Sequence, residues 1–220
     1  QKIFDMLPDF GADFIELGMP FSDPMADGPT IQLSSNRALE NDINLKDIFK
    51  LAANAKKLKK ELPIILMGYY NVILHFGIKE FVKNCVINGV DGLIVVDLQP
   101  EEDEELILEL NKNKLNLIRL ITPTTDEKRL KLILKNASGF LYYVTVMGTT
   151  GQKSANINEL KKSINFIKKH TNLPIVPGFG VKNEVDVNNI CRIADGAVVG
   201  SSIIKIIEEN LNDKEFMLKK

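Results

Sequence analysis

Two carboxylates near the start of the chain, Glu16 and Asp27, are the first candidates for chemistry, because paired acids can divide acid and base roles. Residues 13–17 are typical of a strand, in which Ile15 and Leu17 share one face and Glu16 lies on the other. If the aliphatic face packs against helices, Glu16 points to the opposite side, near the carboxyl end of the strand. Enzymes built on parallel strands place their active sites at that end. A solvated carboxylate at a strand end is the alternative.

Asp27 belongs to a long loop, residues 18–29, that carries two acids and three prolines. The prolines restrict the conformations of the loop, so Asp23 and Asp27 are presented at a smaller ordering cost than on a flexible loop. The spacing therefore brings a second acid close in sequence to the strand of Glu16. Because Gly28 follows Asp27, an ordinary turn residue is the alternative interpretation.

Glycines follow two strands late in the chain, which is typical of phosphate sites. Gly180 follows one strand, and Gly200 with Ser201 follows the next one, directly before a helix. Glycine lets the backbone approach a ligand, and the free N–H groups of a helix start suit a phosphate. A third loop, residues 148–151, carries the hydroxyl of Thr150 and is expected to close from the facing side. A single glycine after a strand is usually a turn, so this prediction depends on the two glycine signals that follow consecutive strands.

The composition excludes several classes of protein. The 28 Lys and Arg residues balance 29 Asp and Glu residues, whereas a nucleic-acid binder carries a basic surplus. No window approaches the run of about 18 apolar residues that a membrane span needs. Cys85 and Cys191 lie far apart, and His75 and His170 have no acid or cysteine at ligand spacing, so neither a disulfide framework nor a metal site is predicted. A cytoplasmic location fits this pattern best.

Short β-branched runs alternate with longer segments of helical period along the whole chain, which is typical of a parallel sheet. Seven strands are predicted, over residues 13–17, 64–68, 92–96, 116–121, 140–146, 175–177 and 196–199. Seven helices are predicted, over residues 45–60, 78–88, 101–113, 127–135, 158–170, 183–190 and 202–210. Pro100 and the acidic residues after it are expected at a helix start.

The number of strands and the length together favour a barrel. A (β/α)8 barrel takes about 31 residues per unit, so 220 residues hold about seven units. Residues 1–7 are expected to be the tail of a helix whose preceding strand is absent from this chain. The predicted fold is therefore an α/β (β/α)8 barrel lacking its first strand, as a single domain over residues 1–220. An open doubly wound sheet is the alternative, but the glycine fingerprint that such a sheet carries after its first strand is missing.

Residues 15–32 read Ile-Glu-Leu-Gly-Met-Pro-Phe-Ser-Asp-Pro-Met-Ala-Asp-Gly-Pro-Thr-Ile-Gln, and this segment resembles the tryptophan synthase alpha family. Supporting matches lie at residues 67–71, 89–92, 97, 142–145, 148–151, 178–180 and 200–201. The resemblance runs through nearly the whole chain. It implies a barrel that cleaves indole-3-glycerol phosphate to indole and glyceraldehyde 3-phosphate in tryptophan biosynthesis. It also implies an alpha2beta2 assembly with a beta subunit that holds pyridoxal phosphate, no cofactor in this chain, and a cytoplasmic or, in a plant, plastid location.

By position, the resemblance makes Glu16 the acid–base residue and Asp27 the group beside the indole N–H. The residues that it places at the substrate are Tyr142, Phe179 and Thr150. Those that it places at the phosphate are Gly151, Gly180, Gly200 and Ser201. Those that it places at the face of the beta subunit are Pro20, Asp23 and Asn71.

The retro-aldol reaction fits what these residues offer. An apolar barrel mouth would raise the pKa of Glu16, whereas Asp27 on its loop is expected to stay solvated and charged, so that the two acids divide their roles. Another barrel with a phosphate site, such as an isomerase, is one competing interpretation. A catalytically impaired barrel that mainly activates a beta subunit is the other.

Overall fold

The chain folds into alternating strands and helices. The computed structural model describes residues 2–144, 157–178 and 180–218. Contacts divide the chain into two compact units, Gln1–Leu117 and Ile118–Lys220. The single domain expected over residues 1–220 stays a prediction.

The first unit contains three parallel strands and the helices that connect them. In chain order its elements are α1 (Lys2–Met6), a 3-10 helix (Leu7–Phe10), β1 (Ile15–Gly18), α2 (Pro29–Glu40), α3 (Leu45–Leu58), β2 (Ile64–Gly68), α4 (Tyr70–Phe76), α5 (Ile78–Ile87), β3 (Gly92–Val95) and α6 (Glu104–Asn113). β1 pairs with β2, and β2 pairs with β3, with Glu16 opposite Ile65 and Leu66 opposite Leu93. Because all three strands are parallel, their carboxyl ends share one edge of the sheet.

The core of this unit forms on one face of its strands. Leu17, Leu66 and Leu93 belong to one buried cluster with Phe49 of α3 and Phe81 of α5. Alternate residues of each strand therefore face the helices, as the period of two requires. The residues between them, Glu16 among these, face the other side of the sheet.

The second unit repeats this arrangement. Its elements are most of β4 (Asn116–Ile121), then α7 (Glu127–Leu134), β5 (Leu141–Val144), α8 (Ile157–Lys168), β6 (Ile175–Gly178), α9 (Glu184–Cys191), α10 (Ser201–Glu209) and α11 (Lys214–Met217). β4, β5 and β6 are parallel, with Leu120 opposite Tyr142 and Tyr142 opposite Val176. Tyr143 packs with Leu160 of α8 in a buried cluster, so Tyr142 lies on the opposite face of β5.

Both units carry the same polar bridge at the amino end of a strand. It joins an aspartate, the first N–H of a strand and a lysine in the last turn of the preceding helix: Asp91, Ile64 and Lys56 in the first unit, and Asp195, Ile175 and Lys168 in the second. The carboxylates accept the strand N–H at 2.7 and 2.9 Å and contact the lysine Nζ at 2.9 and 3.0 Å. Burial opposes ionisation of Asp195, but the N–H and the lysine outweigh it, so its pKa lies below its usual value. The recurrence marks two copies of one strand–helix unit.

Six of the seven predicted strands are present. The prediction of a strand over residues 196–199 is wrong, since this segment is irregular in the structure. It still runs beside β6, because the N–H of Asp195 donates to Ile175 O at 3.1 Å and that of Val198 to Pro177 O at 2.9 Å. The two donors are three residues apart and the two acceptors only two, so the segment does not keep the regular register of a strand beside β6. Residues 145 and 146 of the predicted fifth strand lie outside the described part of the chain.

The seven predicted helices are present with shifted ends, and among the described residues three further α-helices, α2, α4 and α11, were not predicted. α6 begins at Glu104 instead of residue 101, because Pro100 sits in a turn closed by the Glu102 N–H bond to Gln99 O at 3.0 Å. α2 has no fully buried residue and α4 has one, Ile73, so neither shows the apolar stripe on which sequence prediction depends. No helix among the residues with assigned structure has the length and apolar character to cross a bilayer.

Candidate active site

Glu16 lies on the face of β1 that is turned away from the helices, as predicted. Ile15 and Leu17 on either side of it are buried, and Leu17 packs in the helix-facing core. On the face of Glu16, the neighbouring positions on β2 and β3 are Ile65 and Gly92, both buried. The carboxyl group therefore stands among apolar groups, level with the second residue of β2 and the first residue of β3.

These surroundings change the acidity of Glu16. Its Oε1 is buried, and the described residues offer that atom no hydrogen-bond partner. Burial without a compensating partner disfavours the charged form, and it raises the pKa of Glu16 from 4.5 to about 8. The expectation of a raised pKa is confirmed, and a carboxyl group with this pKa can both give and accept a proton near neutral pH.

Asp27 lies in the loop between β1 and α2, and that loop is folded back on the end of β2. The Tyr69 hydroxyl donates to Asp27 Oδ2 at 2.9 Å and accepts the N–H of Ala26 at 3.0 Å. Inside the loop, the Asp27 N–H donates to Pro24 O at 3.0 Å. The loop acid that the sequence singled out is thus held by a tyrosine 42 residues away.

Further contacts fix the two ends of this loop. The Phe21 N–H donates to Ser35 Oγ, and the same hydroxyl donates to Phe21 O, both at 2.9 Å. Gln32 Nε2 donates to Asp27 O at 2.9 Å. Both Ser35 and Gln32 belong to α2, so this helix supports the loop that precedes it.

The expectation that Asp27 stays solvated is wrong. Asp27 is half-buried, and burial raises its pKa, although the hydrogen bond from Tyr69 opposes the rise. The physical reason is the folded-back loop, which removes water from the carboxylate on the side of Tyr69. The two acids still differ, because Asp27 has a hydrogen-bond donor and Glu16 Oε1 has none among the described residues.

Tyr142, which the family resemblance places at the substrate, lies on the face of β5 opposite the helices. It is buried, and its ring leans forward along the neighbouring strand to lie against the backbone of Gly178. A Cβ at residue 178 would stand 2.5 Å from Tyr142 Cε1 and closer still to the hydroxyl oxygen. Only glycine accommodates the tyrosine in this position.

The predicted phosphate residues of the second unit meet at the start of α10. Gly200 precedes the helix, Ser201 is its first residue, and both are exposed. Ser202 Oγ donates to Val181 O at 2.6 Å, which holds the segment after Gly180 beside this helix start. Within the described structure no side chain caps α10, so its first N–H groups remain available to an anion.

The other predicted residues are placed as follows. Pro20 and Asp23 lie in the loop after β1 and Asn71 lies in the first turn of α4, after β2; Asp23 and Asn71 are exposed, and Pro20 is partly exposed. The two elements follow neighbouring parallel strands, so they share the carboxyl edge of the first unit. Thr150, Gly151 and Phe179 lie outside the described residues. In the described ranges, no three His, Cys, Asp or Glu side chains are grouped to hold a metal ion.

Sequence reasoning missed the role of Tyr69 and of its supports. Residues 67–71 were recognised as a motif, and Tyr69 comes directly after the last residue of β2, where functional residues of parallel sheets stand. That position is the signal that could have identified it. The contact with Asp27, in contrast, requires the fold.

Comparison with known proteins agrees with the geometry. A family model for the tryptophan synthase alpha chain matches residues 1–220. The solved tryptophan synthase alpha subunit of Legionella pneumophila str. Paris is 38% identical with a TM-score of 0.91, over 99% of this chain and 80% of that one. The alpha subunit of Campylobacter jejuni is 36% identical with a TM-score of 0.86, over 99% of this chain and 86% of that one.

A tryptophan synthase complex from Pyrococcus furiosus contains a chain that is 35% identical with a TM-score of 0.85, over 100% of this chain and 89% of that one. These matches confirm the predicted fold class, an α/β fold of the (β/α)8 barrel type. They also confirm the resemblance read from residues 15–32. The chain belongs to the tryptophan synthase alpha-chain family.

Proposed function

We propose that Glu16 and Asp27 carry out, in this chain, the reaction of its family. Tryptophan synthase alpha chains cleave indole-3-glycerol phosphate to indole and glyceraldehyde 3-phosphate in tryptophan biosynthesis, and membership gives this chain the same role. The enzyme is then a carbon–carbon lyase. Glu16 serves as the proton carrier and Asp27 as the group that stabilises charge on the indole nitrogen.

The observation that carries this proposal is the environment of Glu16. Cleavage requires a proton to be added at indole C3 and a proton to be removed from the side-chain hydroxyl next to the ring. The bond between C3 and the carbon that bears the hydroxyl then breaks, and its electrons return to the ring. A carboxyl group with one buried oxygen and a pKa of about 8 exists in both protonation states near neutral pH, so it suits both transfers.

Asp27 suits the other charge of the reaction. Protonation of C3 places positive charge on the indole nitrogen, and an anionic oxygen close to the N–H would stabilise it. The Tyr69 hydroxyl occupies Oδ2 of Asp27, which leaves Oδ1 for a ligand. Because Asp27 is half-buried, such an interaction is stronger than it would be in bulk water.

The phosphate of the substrate would bind at the start of α10. Gly180, Gly200 and Ser201 lie around uncapped N–H groups, with Gly151 as the further residue that the family resemblance assigns. Binding of the phosphate would orient the indole end for reaction, because contacts far from the reacting bond offset the entropy cost of positioning the substrate. Tyr142, Phe179 and Thr150 complete the proposed substrate contacts.

The proposed partner is a tryptophan synthase beta subunit in an alpha2beta2 assembly, and pyridoxal phosphate chemistry belongs to that subunit. A solved chain similar to this one comes from a tryptophan synthase complex, which supports such a partner. Pro20, Asp23 and Asn71 share one edge of the first unit and would face it. The alternative, an impaired barrel that only activates a partner, is not favoured, since the environment of Glu16 suits proton transfer and the hydrogen bond from Tyr69 favours the ionised form of Asp27.

Turnover of indole-3-glycerol phosphate tests the proposal. Glu16→Gln keeps the shape of the side chain and removes proton transfer, so kcat should fall by at least about 10²-fold while the affinity for glycerol phosphate stays unchanged. Glu61→Gln, at an exposed carboxylate, is the matched control. The wild type and both variants are assayed with and without a beta subunit. A Glu16→Gln chain that keeps more than a tenth of the wild-type kcat would remove Glu16 from the reaction.

A further inference from the structure

Tyr69 connects a candidate catalytic acid to the rigid end of a strand. We propose that Tyr69 is a positioning residue, whose hydroxyl holds the Asp27 carboxylate and the loop of residues 19–28 in the geometry that the reaction uses. This inference rests on the proposed function of Asp27. It adds a residue that acts through Asp27 and does not itself exchange a proton with the substrate.

The hydroxyl of Tyr69 makes two hydrogen bonds to adjacent residues of the loop. It donates to Asp27 Oδ2 at 2.9 Å and accepts the Ala26 N–H at 3.0 Å. The two bonds fix both the carboxylate and the backbone just before it. Among the described residues, Tyr69 supplies the side-chain hydrogen bond to this carboxylate. Within the described ranges, one oxygen atom thus restrains the orientation of Asp27.

The other end of Tyr69 is anchored well enough to act as a support. It is 3% exposed and directly follows β2, and it forms the N-cap position of α4. The next N–H, of Tyr70, donates to Asp97 Oδ1 at 2.7 Å, which ties the start of α4 to the residues after β3. The backbone of Tyr69 is thus held by β2 and by the segment after β3, independently of its contacts with the loop.

The loop has separate anchors that do not reach the carboxylate. Ser35 holds the backbone of Phe21 through two hydrogen bonds, and the Phe21 ring packs on Tyr69 with centroids 5.2 Å apart. Gln32 holds the carbonyl of Asp27. Removal of the Tyr69 hydroxyl alone would leave these contacts and the aromatic packing in place. The loop should keep its path while the carboxylate loses its restraint.

The protonation state of Tyr69 supports its role as a donor. Burial raises its pKa to about 12, and the negative charges of Asp27 and Asp97 add to the rise. The phenol therefore stays neutral across the range in which an enzyme works. It can donate to Asp27 at every such pH.

The test compares Tyr69→Phe with Tyr70→Phe, which removes a phenol hydroxyl from the adjacent residue. Two quantities are measured in the full chain: the kinetics of indole-3-glycerol phosphate cleavage, and the pKa of Asp27 from the NMR shift of its carboxyl carbon. Tyr69→Phe should lower kcat at least about tenfold, the effect expected for the loss of one hydrogen bond to a carboxylate, with KM changed less than threefold. It should also raise the pKa of Asp27, because the bond that opposes the effect of burial is gone.

Tyr70→Phe should leave both quantities at their wild-type values. An Asp27 pKa that is the same in Tyr69→Phe and the wild type would overturn the proposal, whatever happens to kcat. A shifted pKa with unchanged kcat would overturn the positioning role. A rise in KM with kcat preserved would make Tyr69 a purely structural residue and equally overturn it. If the wild type fails to cleave the substrate, the proposed function fails, while the pKa measurement still decides whether Tyr69 holds Asp27.

Discussion

Replacement of Glu16 by glutamine should change how the stability of the chain depends on pH. The folded chain raises the pKa of Glu16 from 4.5 to about 8, so the folded state binds the proton more tightly than the unfolded state. Below pH 4.5 the group is protonated in both states and costs nothing. As the pH rises from 4.5 to 8, the unfolded state releases the proton first, and the wild type loses stability.

The size of this loss follows from the two pKa values. Each pH unit between them corresponds to about 1.4 kcal/mol, so the full loss is on the order of 5 kcal/mol above pH 8. That is a large part of the total stability of an ordinary domain. Glutamine has nearly the same shape and cannot ionise. The difference in unfolding free energy, Glu16→Gln minus wild type, should therefore rise by several kcal/mol between pH 5 and pH 9.

Urea unfolding followed by circular dichroism at pH 5, 7 and 9 measures this difference, because all other titrating groups are shared by the two proteins and cancel. Glu61→Gln serves again as the control, since its carboxylate is exposed, and its difference from the wild type should be flat. A flat difference for Glu16→Gln as well would show that the carboxyl group is solvated. The proton-carrier role would then lose its physical basis.

Two further predictions concern the second unit. Gly178→Ala should destabilise the chain by about 1–3 kcal/mol, the usual cost of overpacking, because the new methyl group meets the Tyr142 ring. The cost should be smaller in a Tyr142→Leu background. A double-mutant cycle measured by urea unfolding that shows no coupling between the two positions would contradict this. Gly200→Asp should leave the midpoint of unfolding unchanged, since a Cβ at this residue meets nothing within 4 Å. It should weaken the affinity for glycerol phosphate, measured by calorimetry, through like-charge repulsion that salt reduces. An unchanged affinity would show that the phosphate binds at another site.

The strands were the most predictable part of the fold. β2 and β4 have the predicted bounds, because each is a short β-branched run with turn residues on both sides. α2 and α4 escaped prediction for the opposite reason. α2 begins at a proline after Gly28 but carries no fully buried residue, and its ends are set by the tertiary fold. A pattern of polar and apolar residues cannot reveal a helix that buries so little.

The candidate site was also predictable only in part. The face of Glu16 followed from strand alternation alone, and the raised pKa followed from that face. The surroundings of Asp27 did not follow, because its neighbour Tyr69 is 42 residues away and is brought there by the pairing of β1 with β2. Local reasoning treats a loop acid as solvated by default. The prediction for Asp27 is therefore wrong at the place where the loop folds back against the sheet.

The two acids are held by different kinds of support, and this difference predicts where the reaction is vulnerable. Glu16 is fixed by the backbone ladder between β1 and β2, which no single side-chain change removes. In the part of the chain that the structure describes, the Asp27 carboxylate is held by a side-chain hydrogen bond from one hydroxyl, so its geometry can be altered without unfolding the chain. Any partner that presses on the loop of residues 19–28 would act on Asp27 and leave Glu16 in place. A change in the rate of cleavage caused by such a partner should therefore be smaller in Tyr69→Phe, where the Asp27 carboxylate has already lost its restraint by the end of β2.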